Sequence, residues 1–220
     1  MTVTDPHDTT SVPPGMSHER VGMFADAVFA IAMTLLVIEI PRPEGGEGGG
    51  EDRMAMAAEL WRFLGHNSGS FLAFIIAFLM LWATWRQHHT LLDQIGRVTH
   101  GMVFLHIPLL VLVVLLPYPT ALIGESSENP LSICLFAGTE AALLLCQAAL
   151  LFVVVRSGVL NAGVDVTRIR VQAVTLTAIG LFWALTAGLT WKFDGMALAW
   201  MLTPVVAVVT VRITRRIISA

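Results

Sequence analysis

Asp26 places a carboxylate inside a long apolar stretch, where a charged side chain is energetically costly. Residues 21–40 contain only two charged side chains, Asp26 and Glu39. A charge in the hydrocarbon core costs at least about 2.5 kcal/mol, so a carboxylate there needs either a cation on a neighbouring helix or water at a helix end. We predict a partner between helices. The candidates near the same membrane face are Arg20, His88 and Arg97.

The same stretch carries a stripe of branched side chains. Ile31, Leu35 and Ile38 stand at positions i, i+4 and i+7, with the hydroxyl of Thr34 beside them. Several copies of such a helix around an axis would form rings of apolar side chains and one ring of hydroxyls, which is the form of a gate that closes by dewetting. A stripe of this kind can equally face lipid or pack against neighbouring helices. Asp26 is turned about 140° from Ile31 and is predicted to face away from the stripe.

Four histidines raise the question of a metal site or a proton sensor. His88 and His89 are adjacent and point about 100° apart on a helix, so they cannot chelate one ion in the i, i+4 manner. His100 and His106 are six residues apart, off a shared face and without a Cys or carboxylate companion. We predict no metal site and interpret the first pair as interfacial side chains at a helix end beside Trp85.

The composition is that of a polytopic membrane protein. Hydrophobic residues make up 55% of the chain and charged residues only 13%, with a mean hydropathy of +0.74. Soluble domains carry about 25% charged residues, so this chain has too few to cover a soluble surface. No basic arm or stripe suggests a nucleic-acid partner. We predict an all-α integral membrane protein with six transmembrane helices. The predicted spans are about 20–40, 56–86, 97–116, 131–155, 170–191 and 196–214.

The flanking charges predict the orientation of these spans. Residues 1–19 have no apolar run and no basic cluster, so they are predicted to be a disordered cytoplasmic tail rather than a cleaved signal peptide, with the membrane domain at 20–218. With the N-terminus inside, nine of the 13 basic residues lie on the cytoplasmic side and four lie outside. This bias places both termini in the cytoplasm and the protein in the cell membrane.

Three motifs in the first half of the chain resemble the transmembrane protein 175 family of potassium channels, in its single-repeat prokaryotic form. The first helix matches the family pattern at Arg20, Phe24 and Asp26 and continues as VFAIAMTLL over residues 28–36. Ala25 stands where the family has Ser. Trp85, His88 and His89 match a second motif, and the PYPT sequence of residues 117–120 matches a third.

The resemblance implies a potassium-permeable channel, not an enzyme, built as a homotetramer whose first helix lines a central pore. The family's apolar constriction falls on Ile31, with Leu35 and Ile38 as further rings, and its selectivity hydroxyl falls on Thr34. A structural network would include Arg20, Phe24, Asp26, Trp85, His88 and Arg97. The expected partners are K ions, further copies of the chain and the lipid bilayer, and no cofactor is expected.

A narrow apolar neck with few fixed dipoles predicts only modest preference for potassium over sodium. The alternative function is a secondary transporter or proton-coupled carrier, in which Glu140 and Gln147 of the fourth span would belong to a solute path. The same two residues could instead be polar contacts between helices. No internal repeat relates residues 20–116 to 131–215, although such repeats are common in secondary transporters.

Overall fold

The computed structural model describes residues 18–43 and 53–219, which form helices joined by short turns. Residues 1–17 of the predicted tail lie outside the described residues. Residues 44–52 of the glycine-rich loop after the first span also lie outside them. Within them we number eight α-helices and one 3₁₀ helix. The helices are α1 (His18–Ile38), α2 (Arg53–His66), α3 (Ser68–Asp93), α4 (His100–Leu115), α5 (Pro117–Glu125), α6 (Pro130–Ser157), α7 (Val166–Leu189), the 3₁₀ helix Met196–Leu202 and α8 (Thr203–Ser219).

Six segments of the described chain are long and apolar enough to cross a membrane. This finding confirms the predicted all-α fold with six membrane helices. The segments are Glu19–Ile38, Ser68–Asp93, His100–Glu125, Pro130–Ser157, Val166–Leu189 and Met196–Ile218. The second span begins later than in the predicted range 56–86. The residues before it form α2, a separate helix with no buried residue, and α3 begins only at Ser68.

The third span continues past its predicted end at residue 116. Pro117 and Pro119 lack an N–H and interrupt the hydrogen-bond ladder, which was the reason to expect the helix to stop there. The backbone at Leu116 nevertheless stays in the right-handed helical region, at φ −56° and ψ −36°, and the Thr120 N–H donates to the Leu116 carbonyl at 3.2 Å. Proline at the first helical position is compatible with a new helix, so α5 extends the span to Glu125.

Side chains just before the helices fix where several of them begin. Thr99 accepts a hydrogen bond from the Met102 N–H at the start of α4, and Asp165 accepts one from the Arg168 N–H at the start of α7. Such caps satisfy N–H groups that have no partner within the helix. At the other end of α6, Gly158 adopts the left-handed conformation that commonly terminates helices. The start of α4, the end of α6 and the start of α7 are therefore determined by residues next to them in the sequence.

Small residues bring α1 close to α3. The buried face of α1 is formed by Ala25, Phe29, Ala32 and Leu36, none more than 1% exposed. The α1 helix contacts α3, whose buried residues recur every three or four positions and include Ala73, Ala77 and Leu81. Small side chains at such positions let membrane helices approach closely. The α1 helix also contacts α4 and α5, whereas α8 packs on α7 and has no buried residue within 203–218.

Candidate functional site

The exposed face of α1 carries the predicted stripe. Ile31 and Ile38 are 58% and 55% exposed, Thr34 is exposed, and Leu35 is intermediate. Phe24 continues the face toward the N-terminal end and is 65% exposed. Because the other side of α1 is packed into the bundle, Ile31, Thr34 and Ile38 are turned away from the rest of the described chain, whereas Phe24 also borders a cavity against α4.

The Thr34 hydroxyl is oriented by its own helix. Its Oγ1–H donates to the Ile31 carbonyl at 2.7 Å. A hydroxyl has one donor and two acceptor lone pairs, so a donor used in this way leaves the oxygen free to accept. The exposed stripe therefore presents an oxygen with available lone pairs, which is the kind of ligand that a hard cation such as an alkali ion binds.

Asp26 lies behind this face and joins α1 to α3. Its Oδ1 accepts a hydrogen bond from the Trp85 Nε1–H at 2.8 Å, and its Oδ2 lies 3.2 Å from His89 Nδ1. Trp85 and His89 are four residues apart on one face of α3, with ring centroids 5.4 Å apart. His89 Nε2 also lies 3.8 Å from Asp93 Oδ2. Asp26 thus contacts α3 through an indole and an imidazole, and neither Trp85 nor His89 is among the partners predicted for it.

His88 differs from its two predicted interpretations. It was a candidate partner of Asp26 and an interfacial side chain, but it is fully buried and faces α4. Its Nε2 lies 3.0 Å from Nε2 of His106, whose Nδ1 lies 2.6 Å from the Met102 carbonyl. The physical reason is the rotation of about 100° between adjacent helical residues, which turns His89 toward Asp26 and His88 into the bundle.

The contacts of the two histidines fix the tautomers of the neutral pair. A carbonyl only accepts, so His106 must carry its proton on Nδ1, and its Nε2 accepts. His88 then donates from Nε2, and its Nδ1 has no hydrogen-bond partner among the described residues. The Phe29 ring of α1 lies 5.8 Å from His88, so the pair sits directly behind the buried face of α1. Within residues 18–43 and 53–219, no group of three or more His, Cys, Asp or Glu residues is arranged to hold a metal.

The remaining predicted network residues lie at the periphery. Arg20 is exposed in the first turn of α1 and, with Phe24 and His106, lines a largely apolar cavity of about 360 Å³ between α1 and α4. Arg97 is exposed in the turn between α3 and α4. The sequence analysis does not include His89 among the partners of Asp26. Its spacing of four residues from Trp85, which puts both side chains on one face of α3, was the signal that could have indicated it.

Glu140 and Gln147 occupy buried positions in the middle of α6. Gln147 Nε2 donates to the Thr84 carbonyl at 3.0 Å and so links α6 to α3. Neither carboxyl oxygen of Glu140 has a hydrogen-bond partner among the described residues, and the side chain is 0% exposed. Gln147 thus makes a polar contact between helices, one of the two roles considered for it.

Known sequences resemble this chain along most of its length. The family described as "Endosomal/lysosomal potassium channel TMEM175" matches residues 20–117. A potassium channel of Streptomyces collinus is 30% identical over 185 residues, which cover 82% of this chain and 85% of that protein. A potassium channel of Chamaesiphon minutus is 34% identical over 111 residues, covering 50% of this chain and 51% of that protein.

Two solved structures share the fold. The crystal structure of a lysosomal potassium-selective channel TMEM175 homolog from Chamaesiphon minutus superposes with a TM-score of 0.68 at 22% identity, covering 90% of this chain and 97% of that one. The potassium channel MtTMEM175, crystallised with a nanobody-MBP fusion protein, gives a TM-score of 0.62 at 17% identity and covers 99% of both chains.

Proposed function

Because the chain belongs to the TMEM175 family of potassium channels, we propose that it conducts K ions through a central pore lined by α1 in a homotetramer. Its membership confirms the resemblance predicted from the first helix, and the family's members are channels rather than enzymes. The observation that carries the proposal is the division of α1 into a buried face and an exposed face with Ile31, Thr34 and Ile38. Four copies of that face around an axis would enclose a path for ions.

The constriction is proposed at Ile31, with Leu35 and Ile38 as further rings. Ile31 is 58% exposed in the single subunit, and the buried side of α1 behind it is closely packed. Rings of branched apolar side chains expel water from a narrow neck, and an ion cannot enter without its hydration shell unless other ligands replace it. The gate would open when small displacements of α1 widen the ring enough for water to return.

Selectivity is proposed to rest on Thr34. Its hydroxyl hydrogen is donated to the Ile31 carbonyl, so its lone pairs can face the permeating ion. Four hydroxyls provide a weaker field than stacked rings of backbone carbonyls, and we therefore expect modest preference for potassium over sodium. No cofactor is needed for passive conduction, and the only ligands required are the permeant ions.

The channel is proposed to reside in the cell membrane with both termini in the cytoplasm. Nine of the 13 basic residues would then lie inside, as the positive-inside rule expects. Residues 20–218 would form the channel domain, and residues 1–19 would be a cytoplasmic tail. In this orientation α3 runs inward and Asp26, Trp85 and His89 lie in the cytoplasmic half of the subunit.

A secondary transporter or proton-coupled carrier is the alternative. The observation in its favour is Glu140, a fully buried carboxyl in the middle of α6 without a hydrogen-bond partner among the described residues. Intramembrane carboxyls often mark ion or proton pathways. A carrier would show saturable, coupled flux, whereas a channel would show passive currents that reverse at the potassium equilibrium potential.

The test is current recording in planar bilayers under a potassium gradient, with wild type and Ile31→Asn. We expect potassium-selective current that rises about tenfold in the variant, equivalent to lowering the barrier by about 1.4 kcal/mol. Val111→Asn is the matched control, because Val111 of α4 is also 58% exposed in the subunit but lies outside α1. It should leave the current unchanged.

Three other results would count against parts of the proposal. Equal potassium and sodium permeability would reject the selectivity at Thr34. An unchanged current in Ile31→Asn would reject the gate. Absence of current in both proteins, when both are folded and oligomeric, would favour the carrier and direct attention to Glu140.

A further inference from the structure

A polar cavity lies at the end of the bundle where α3 ends and α7 begins. Its volume is about 770 Å³, and Arg86, Gln87 and Thr90 of α3 line it together with Arg168 and Gln172 of α7. We propose that this cavity binds the phosphate group of an anionic phospholipid. The cavity is lined by residues of α3, α7 and the turns beside them, and by none of the α1 stripe.

The cavity carries a net positive charge. Its charged lining residues are Arg86, Arg168 and Asp165. Asp165 Oδ1 already accepts the Arg168 backbone N–H at 3.2 Å, as the cap of α7. No carboxylate of the described residues forms an ion pair with either Arg86 or Arg168. Two guanidinium groups, which bind phosphate oxygens through paired N–H donors, are therefore available to one ligand.

A third arginine extends this basic surface onto α8. Two smaller cavities, of about 420 and 340 Å³, border Arg168 as well, and Arg215 lines both of them. The side-chain amides of Gln87 and Gln172 line the 340 Å³ cavity and add neutral hydrogen-bond donors. Arginines from α3, α7 and α8 thus surround one region, although they are far apart in sequence.

The position and the walls of the site favour a lipid over a soluble phosphate. The 340 Å³ cavity runs between α7 and α8, where Val171, Leu176 and Val211 form apolar walls beside the arginines. Both helices are candidate membrane spans, and in the orientation proposed above the basic end of their groove lies on the cytoplasmic side. Basic pockets between membrane helices on the cytoplasmic side bind anionic headgroups. Acyl chains of the same molecule would lie along the apolar walls.

The experiment measures lipid binding to the purified full-length chain by native mass spectrometry, with phosphatidylglycerol compared with phosphatidylcholine. Wild type should retain phosphatidylglycerol preferentially. We expect binding to fall about fivefold in Arg86→Gln and about twenty-fivefold in Arg86→Gln combined with Arg168→Gln, since each basic residue contributes roughly one factor of five. Arg156→Gln is the matched control, because Arg156 is an exposed arginine in the last turn of α6 that does not line these three cavities.

A second variant keeps the test decisive if the double substitution unfolds the protein. Gln172→Glu leaves both arginines in place and adds a negative charge to the cavity lining, so it should also weaken phosphatidylglycerol binding. Equal binding by wild type and by the folded variants would overturn the proposal. Binding of inorganic phosphate that competes with, and is as strong as, phosphatidylglycerol would overturn the lipid assignment in favour of a soluble phosphate ligand.

Discussion

The hydrogen bond from Trp85 to Asp26 should stabilise the packing of α1 on α3, and its contribution is measurable. Trp85→Phe removes the Nε1–H that lies 2.8 Å from Asp26 Oδ1 but keeps an aromatic ring beside His89. Hydrogen bonds to charged groups contribute about 1.5–3 kcal/mol in soluble proteins. Side-chain hydrogen bonds in a membrane protein average about 0.6 kcal/mol, with a maximum of about 1.7.

The partial exposure of Asp26 and of its second partner, His89, places the expected value in the lower of these two ranges. The Asp26 side chain is 34% exposed and His89 is 47% exposed, so water can replace part of the lost interaction. The second contact, from His89 at 3.2 Å, also remains in the variant. We therefore expect a coupling energy of about 0.5–1.5 kcal/mol between Trp85→Phe and Asp26→Ala in a double-mutant cycle.

The assay is the free energy of unfolding in mixed detergent micelles for wild type, both single variants and the double variant. Trp82→Phe is the control, since Trp82 lies on the same helix but donates no hydrogen bond to Asp26, and its coupling to Asp26→Ala should be near zero. A coupling energy indistinguishable from zero for Trp85 would refute the reasoning.

The same network makes a prediction about conduction. Asp26 contacts α3 and faces away from the exposed stripe, so Asp26→Asn should impair assembly or the amplitude of the current more than it changes selectivity. The measurement is the reversal potential under mixed potassium and sodium gradients together with the proportion of tetramer on size exclusion. A changed reversal potential with normal assembly would place Asp26 in the ion path instead.

Two further predictions concern helix packing. A Cβ on Gly124 would lie 2.8 Å from Ser70 Cα, so Gly124→Ala should lower the free energy of unfolding by about 1–3 kcal/mol. Gly138→Ala is the control and should be neutral, because a Cβ there would have nothing within 4 Å. Equal effects of the two substitutions in chemical unfolding would contradict this packing. Glu140→Met removes a buried carboxyl that has no hydrogen-bond partner among the described residues, so it should raise the midpoint of thermal unfolding by about 2–4 °C in a thermal-shift assay. A lower midpoint would mean that the carboxyl has a partner in the assembled protein.

Much of the fold follows from local properties of the chain. The length and apolar character of six segments predict six membrane helices, because a backbone inside lipid must satisfy its own hydrogen bonds. The two faces of α1 follow from helix periodicity, since Ile31 and Ile38 differ by nearly two whole turns while Asp26 is turned away. The caps at Thr99 and Asp165 are also local. These features need no knowledge of a neighbouring helix.

The prolines after the third span show the limit of such reasoning. Pro117 and Pro119 predict the end of a helix, yet the backbone remains helical through Leu116 and into α5. Leu116 and Thr120 are both buried against the bundle. Packing can thus hold the chain in helical geometry where the loss of two N–H groups would otherwise end the helix.

The apolar surroundings of Asp26 and the 100° step of a helix are enough to predict that Asp26 requires a polar contact and that His88 and His89 point in different directions. Which histidine meets Asp26 could not be predicted in this way, because it depends on how α3 is rotated against α1. In the folded chain Phe29 of α1 lies against His88 while Asp26 meets Trp85 and His89, and this arrangement is a property of two helices together. The arginines of α3, α7 and α8 are likewise brought to neighbouring cavities that share Arg168 only by folding, since no local pattern relates helices so distant along the chain.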